Sequence, residues 1–179
     1  KVVLRKLKLD DDTDVELNKW NDFLHKLKNP KQKINIGLVG KYIKLKDSYK
    51  SITEAFIHSA TEKNCKVNIK WINAEELKEK NIQNQLQNLN GVLVAPGFGD
   101  RGIEGKINAI QFVRENNIPF LGICLGMQCA VIEYARNVLN MIDANSTEMN
   151  SKTKYPVIDI MENQHKVENK GGTMRLGSY

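Results

Sequence analysis

The stretch that decides the reading runs Ile118-Pro119-Phe120-Leu121-Gly122-Ile123-Cys124-Leu125-Gly126-Met127-Gln128-Cys129-Ala130. Its first half is a short apolar run, its second half opens a helix, and the join is a G-x-C-x-G turn. A side chain at so tight a strand-to-helix elbow projects from the sheet. The crowded backbone there needs small neighbours, which Gly122 and Gly126 supply. Cys124 then stands at the positive end of a helix, where peptide dipoles and unpaired N–H groups favour a thiolate and lower a thiol pKa below its free value of about 8.5. The N–H of Leu125, next in the chain, is placed to donate to the oxyanion formed when a thiolate attacks a carbonyl. Cys124 is therefore the candidate nucleophile. Cys129, well inside an apolar helix, and Cys65, in a polar turn, read as structural.

Working upstream, Gly91-Val92-Leu93-Val94 reads as a strand that ends in Ala95-Pro96-Gly97-Phe98-Gly99-Asp100-Arg101-Gly102, a glycine-rich turn. Alternation of strands and helices brings that turn to the same sheet edge as the elbow, so Gly97 is a candidate for a second oxyanion donor. The alternation holds over most of the chain. Strands are predicted at 34–40, around Val67, Ile69 and Trp71, at 91–95 and at 118–123. Helices are predicted with Ile52, Ala55, Phe56, Ser59 and Ala60 on one face, and at 74–89, 104–116 and 125–139. This order predicts an α/β fold with a mostly parallel central sheet flanked by helices on both faces, its sites at the carboxyl ends of the strands. Residues 13–28 carry apolar residues near a 3.6 period and stop at Asn29-Pro30, which predicts a helix with one sticky face. Residues 1–33 thus read as a connector segment and 34–179 as the domain proper. The Asn/Gln-rich helix 81–90 reads as a solvated face, and no internal repeat is present.

Composition narrows the classes. A chain of 179 residues with 41% hydrophobic residues and mean hydropathy −0.45 suits one globular domain with a core that needs no staples. Three cysteines, odd in number and without C-x-x-C spacing, argue against a disulfide framework and a zinc site and for a reducing, cytoplasmic setting. No run approaches the roughly 18 apolar residues of a membrane span. The net charge is +6, and residues 1–33 hold nine basic and six acidic side chains. That is a solvated segment rather than a nucleic-acid arm. No Walker-type G-x-x-x-x-G-K-[ST] cradle is present.

Gly122-Ile123-Cys124-Leu125-Gly126-Met127-Gln128 resembles the nucleophile motif of the class I glutamine amidotransferases. Five further segments narrow the resemblance to the CTP synthase branch: Ile36–Tyr42, Asp47–Ser51, Gly97–Gly105, Asp143–Glu148 and Gly171–Gly177. The resemblance covers 34–179, while 1–33 resembles the stretch that joins that family's amidoligase domain to its glutaminase domain. It implies a flavodoxin-like fold and hydrolysis of L-glutamine through a Cys124 thioester. The ammonia would serve an N-terminal amidoligase domain that aminates UTP to CTP. Carried over by motif, Gly97 and Leu125 form the oxyanion hole. Gly97, Leu125, Gly126, Met127 and Gln128 contact glutamine, and Glu148 and Arg175 hold its α-ammonium and α-carboxylate. Phe98, Arg101, Gly102 and Glu104 match a lid on which GTP acts as an activator. The resemblance implies no cofactor or metal in this domain, ATP, Mg2+ and GTP for the full-length enzyme, a homo-oligomer (tetramer), and neither nucleic-acid nor membrane partners.

Two positions depart from the family pattern. Pro96-Gly97 stands where the family has Gly-Gly, and proline offers no N–H, so the hole relies on Gly97. The family's catalytic base and its orienting carboxylate come from a His-x-Glu motif downstream of Met174-Arg175-Leu176-Gly177. None of His25, His58 and His165 has that setting. The expectation is a C-terminally incomplete glutaminase that turns over poorly alone. The rival readings are a non-enzymatic regulatory or scaffold domain and another hydrolase built on a cysteine elbow.

Overall fold

The computed structural model describes residues 2–9 and 16–160. The chain divides into two compact units, one of residues 1–34 and 49–67 and the other of 35–48 and 68–179. In the first unit, helix α1 (Val2–Lys6) is followed by α2 (Asn18–Lys28), and α3 (Lys50–Glu62) packs on α2. Trp20 stacks on Phe23 with centroids 5.5 Å apart, and the Phe23 ring lies 5.3 Å from the His58 ring. The helix expected over 13–28 begins at Asn18, with Leu17 as its N-cap and 13–15 outside the described residues; its sticky face is exposed at Trp20 and Leu27. The expected face of α3 holds in part: Ala60 is buried and Ile52 and Phe56 are half-buried, but Ala55 and Ser59 are exposed. Ser59 Oγ instead donates back to Ala55 O (2.7 Å), a bond that lets a small polar residue sit in a solvated turn of helix.

The second unit holds β3 (Gly91–Val94), β4 (Phe120–Gly122) and all but the first three residues of β1 (Gln32–Gly40) and of β2 (Cys65–Asn73), in a sheet of strand order β2-β1-β3-β4. Strand β3 pairs in parallel with β1 (Ile36↔Gly91 to Val39↔Val94) and with β4 (Val92↔Phe120 to Val94↔Gly122). The sheet is mostly parallel and flanked by helices, as the alternation predicts. All four residues of β3 are buried, the continuous apolar pattern of a central parallel strand. Helices α4 (Glu79–Leu86), α5 (Ile103–Glu115) and α6 (Leu125–Asn137) complete the unit, and α5 packs closely on α6. The core interleaves Val39, Ile72, Val92 and Val94 of the strands with Ile103, Ile107, Ile110 and Val113 of α5 and Leu125, Cys129 and Ile132 of α6. Each such side chain contributes about 1.5–3 kcal/mol when fully buried.

Several expectations are corrected. The helix expected over 74–89 is a 3-10 turn (Ala74–Glu76), an extended Leu77, and then α4, which ends at Leu86. Asn73 Oδ1 accepts from Glu75 N, and Asn81 Oδ1 accepts from Lys78 N (2.9 Å), so two local caps divide the segment. The strand expected at 118–123 is Phe120–Gly122, because Pro119 has no N–H and enters the ladder only through its carbonyl, which accepts from Val92 N at 2.8 Å. Helix α6 stops at Asn137, two residues early. Cys65 opens β2 and is buried, its Sγ accepting from Gln32 Nε2 at 3.0 Å, rather than sitting in a turn. After α6 come β5 (Ala144–Ser146) and β6 (Tyr155–Ile158), a parallel pair that periodicity did not reveal. Among the described residues, no helix is long and apolar enough to cross a membrane and no group of three His, Cys, Asp or Glu could hold a metal ion.

Candidate active site

The chain leaves β4 at Gly122, turns at Ile123 and Cys124, and enters α6 at Leu125. Ile123 N–H donates to Val94 O (3.1 Å), which fastens the elbow to the end of β3. Cys124 has φ 52° and ψ −110°, a region that a residue with a Cβ rarely occupies and that costs of order 1–3 kcal/mol. The conformation is enforced from both sides. A Cβ on Gly126 would lie 2.1 Å from Val94 O, and one on Gly122 would lie 2.6 Å from Gly126 C and Met127 N. Only glycine permits so close an approach of strand end to helix start.

The elbow leaves Cys124 exposed, whereas Cys65 and Cys129 are buried. Burial pushes the Cys129 thiol up to about 11, so it stays protonated and inert. The carbonyl of Cys124 accepts from Met127 N (3.0 Å) and Gln128 N (3.1 Å). Leu125 N–H stands in the first turn of α6, among the donors that a helix leaves without an internal partner. Gly126 is buried beside it, Gln128 is half-buried and Met127 is exposed.

The Ala95–Gly99 turn flanks this elbow. Gly97 lies against the Leu125 side chain, whose Cδ2 would be 3.6 Å from a Cβ placed on the glycine. The structure thus brings together the two expected oxyanion donors, Gly97 and Leu125, with Cys124 preceding the second. Phe98 is 74% exposed, so it is no core residue. Arg101 Nε pairs with Glu75 (3.1 Å), Gly102 starts α5 in the left-handed region, and Glu104 binds Arg136 through both oxygens at 3.1 Å. Arg136 Nε also donates to Ala144 O (2.7 Å) at the start of β5, the strand that leads to Glu148. Glu148 is exposed in the turn after β5, its N–H donating to Ser146 Oγ at 3.2 Å. Arg175, with Gly171–Gly177, and His165 lie outside the described residues. Beside the turn, a groove of about 710 Å³ is lined by residues of 74–80 and 100–108, Glu75, Lys78 and Arg101 among them.

Two lysines that sequence reasoning passed over hold the turn in place. Lys41, just after β1, is 8% exposed and donates to Phe98 O and Gly99 O. Burial, with the nearby Arg101 charge, lowers its pKa. Lys106 of α5 is fully buried and donates to Ala95 O at 2.8 Å. Burial lowers its pKa to about 8. A signal for Lys106 was present, because it stands within the apolar stripe Ile103, Ile107, Ile110 and Val113, where a lysine is out of place.

Comparison with known proteins agrees with this geometry. The model for glutamine amidotransferase class-I matches residues 44–179. The CTP synthase of Cytophaga hutchinsonii is 62% identical over 177 residues, which are 99% of this chain and 33% of that protein. The CTP synthase of Methanocaldococcus jannaschii is 52% identical over 185 residues, 100% of this chain and 34% of that protein. The chain spans about a third of the length of the curated relatives it matches. Among solved structures, the glutaminase domain of Trypanosoma brucei CTPS with bound acivicin matches with a TM-score of 0.69 and 38% identity, over 73% of this chain and 51% of that one.

Proposed function

From its membership of the class-I glutamine amidotransferase family, to which this chain belongs, we infer that it is the glutamine-hydrolysing part of a CTP synthase. The observation that carries the reading is the exposed Cys124 held at φ 52° and ψ −110° between two glycines that admit no side chain.

The chemistry follows from that placement. The Cys124 thiolate attacks the carboxamide carbon of glutamine, a C–S bond forms, and the carbonyl pair moves onto oxygen. That oxygen accepts from Gly97 and Leu125 N–H, donors fixed before the charge appears. The oxyanion collapses, the C–N bond breaks, and ammonia departs with an added proton. Water then adds to the thioester, the C–S bond breaks, and glutamate leaves. A general acid/base must give a proton to the amine and take one from water. The family's His-x-Glu pair fills that role in this reading. Glu148 and Arg175 suit the α-ammonium and α-carboxylate, the arginine because its planar fork binds both carboxylate oxygens. Gln128 suits a further substrate contact.

Ammonia passes to an amidoligase domain, where ATP with Mg2+ drives amination of UTP. GTP as an activator fits the turn in two respects: Phe98 offers an exposed flat face and Arg101 offers guanidinium donors above the groove. A homo-tetramer and a cytoplasmic setting belong to the same reading. The experiment is Cys124→Ala in the full-length protein that contains this chain. Glutamine-dependent CTP formation is expected to fall about 10³-fold or more, while synthesis from added ammonia stays within twofold. Retained glutamine use, or equal loss with both nitrogen sources, overturns the assignment.

A further inference from the structure

Lys106 is the largest side chain in the molecule that is fully buried among the described residues. An ammonium removed from water is costly, and it persists only where its charge or its hydrogen bonds are used. Its described hydrogen bond is to Ala95 O, one bond for three N–H donors. Nζ lies 3.7 Å from where a Cβ on Gly97 would stand, directly against the proposed oxyanion donor. The charged or titratable groups acting on it come from three places: Cys129 on α6, Cys124 at the elbow and Lys41 after β1.

The turn is therefore held from two sides. Lys106 takes the carbonyl of Ala95, and Lys41 takes those of Phe98 and Gly99. The Gly97 N–H belongs to the Pro96–Gly97 peptide, which neither lysine holds directly. With the Ala95 carbonyl held on one side, the Pro96 ring locking φ, and the Phe98 and Gly99 carbonyls held on the other, few rotations are left to that planar peptide, which restricts the direction of its N–H. Pro96, in the place of a family glycine, contributes no N–H and stiffens the same turn. The orientation of one peptide thus carries much of the hole.

We propose that Lys106 is a positioning residue for glutamine hydrolysis: its buried ammonium pins the Ala95 carbonyl and so helps hold the turn that presents the Gly97 N–H to the oxyanion. The proposal rests on the glutaminase reading and assigns it a residue outside the substrate's reach. Charge on Lys106 matters more in the transition state than in the bound substrate, because the oxyanion exists only there. Its removal therefore lowers kcat rather than raising KM. Complete loss of an oxyanion donor costs about 10²–10³-fold, and a misaimed donor is expected to cost about 10-fold.

The test is Lys106→Met in the full-length protein, with glutamine-dependent and ammonia-dependent CTP formation measured on the same preparation between pH 6.5 and 9.5. The expected result is a kcat for glutamine about 10-fold below wild type at pH 7, with KM within twofold and ammonia use unchanged. The ratio of wild-type to variant kcat should shrink as pH rises past about 8, where the wild-type residue itself loses its charge. A packing role alone would leave that ratio flat. Unchanged kcat, a rise confined to KM, or a pH-independent ratio overturns the proposal. If Lys106→Met loses ammonia use as well, Lys106→Gln takes its place in the same assay, and equal loss from both sources there also overturns it. Failure of the underlying reading looks different: the wild-type protein itself then makes no CTP from glutamine, and both conclusions fall.

Discussion

The elbow at Gly122–Gly126 and the turn at Phe98–Gly102 are both glycine-rich loops at strand ends, yet their glycines do opposite work. In the elbow, each added Cβ would collide with backbone, at 2.1 Å for Gly126 and 2.6 Å for Gly122. In the turn, Gly99 has φ +69° and no atom within 4 Å of where its Cβ would stand. The first pair is needed for space and the second for conformation. A site that must hold a nucleophile in an unfavourable backbone region needs neighbours that cannot give way. The turn makes no such demand on the space around Gly99, and the Phe98 side chain beside it is exposed. The turn is not unconstrained, because Lys41 holds the Phe98 and Gly99 carbonyls and Arg101 pairs with Glu75; its freedom lies in the open space at the Gly99 Cβ position and in the exposed Phe98 side chain.

Substitution of Gly126 by Ala strikes the rigid region hardest. Val94 O belongs to a buried central strand and cannot retreat, so the expected cost is about 3 kcal/mol or more. Denaturation followed by tryptophan fluorescence measures it, and a cost below about 1 kcal/mol would mean that the elbow tolerates relaxation.

Lys106→Met acts between the regions and should move stability in the opposite direction to activity. The folded-state pKa of about 8 lies below the ordinary lysine value of 10.5. Between those values the unfolded chain holds a proton that the folded chain releases, so wild-type stability rises with pH from about 8 to 10.5. Below pH 8 the cost of the buried charge remains in full, about 3 kcal/mol. Allowing about 1 kcal/mol for the lost bond to Ala95 O, the variant should be about 2 kcal/mol more stable at pH 7. The advantage should vanish as pH approaches 10.5. Urea midpoints at pH 7 and pH 10 test the sign, and a variant less stable at both would contradict it.

Gly99→Ala probes the permissive region and should have the smallest effect. Nothing is hit, and the left-handed backbone costs about 1 kcal/mol with a side chain present. The same denaturation assay measures that cost, and alkylation of Cys124 should proceed at the wild-type rate. A larger loss would show that the turn is as constrained as the elbow.

Much of this arrangement was legible in the sequence because it repeats at a fixed period. Strands β1 and β3, helices α5 and α6, and the elbow all follow from apolar runs punctuated by glycine. The helix expected over 74–89 failed because apolar spacing does not distinguish one helix from a 3-10 turn followed by a shorter one. The caps at Asn73 and Asn81 were the available clue. Strands β5 and β6 are three and four residues long, too short for alternation to register. Lys41 and Lys106 escaped for another reason. A lysine is read as solvated by default, and its burial depends on carbonyls that only the folded turn of 95–99 presents. Lys106, buried beside Gly97, was thus visible as a residue but not as a partner.

The measurement closest to the central claim is covalent trapping with acivicin, the compound bound in the related glutaminase structure, followed by peptide mapping of all three cysteines. The account predicts one adduct, on Cys124, slowed by excess L-glutamine and abolished by Cys124→Ala, with Cys65 and Cys129 unmodified. An adduct on either buried cysteine at a comparable rate, or labelling that survives Cys124→Ala, would contradict it.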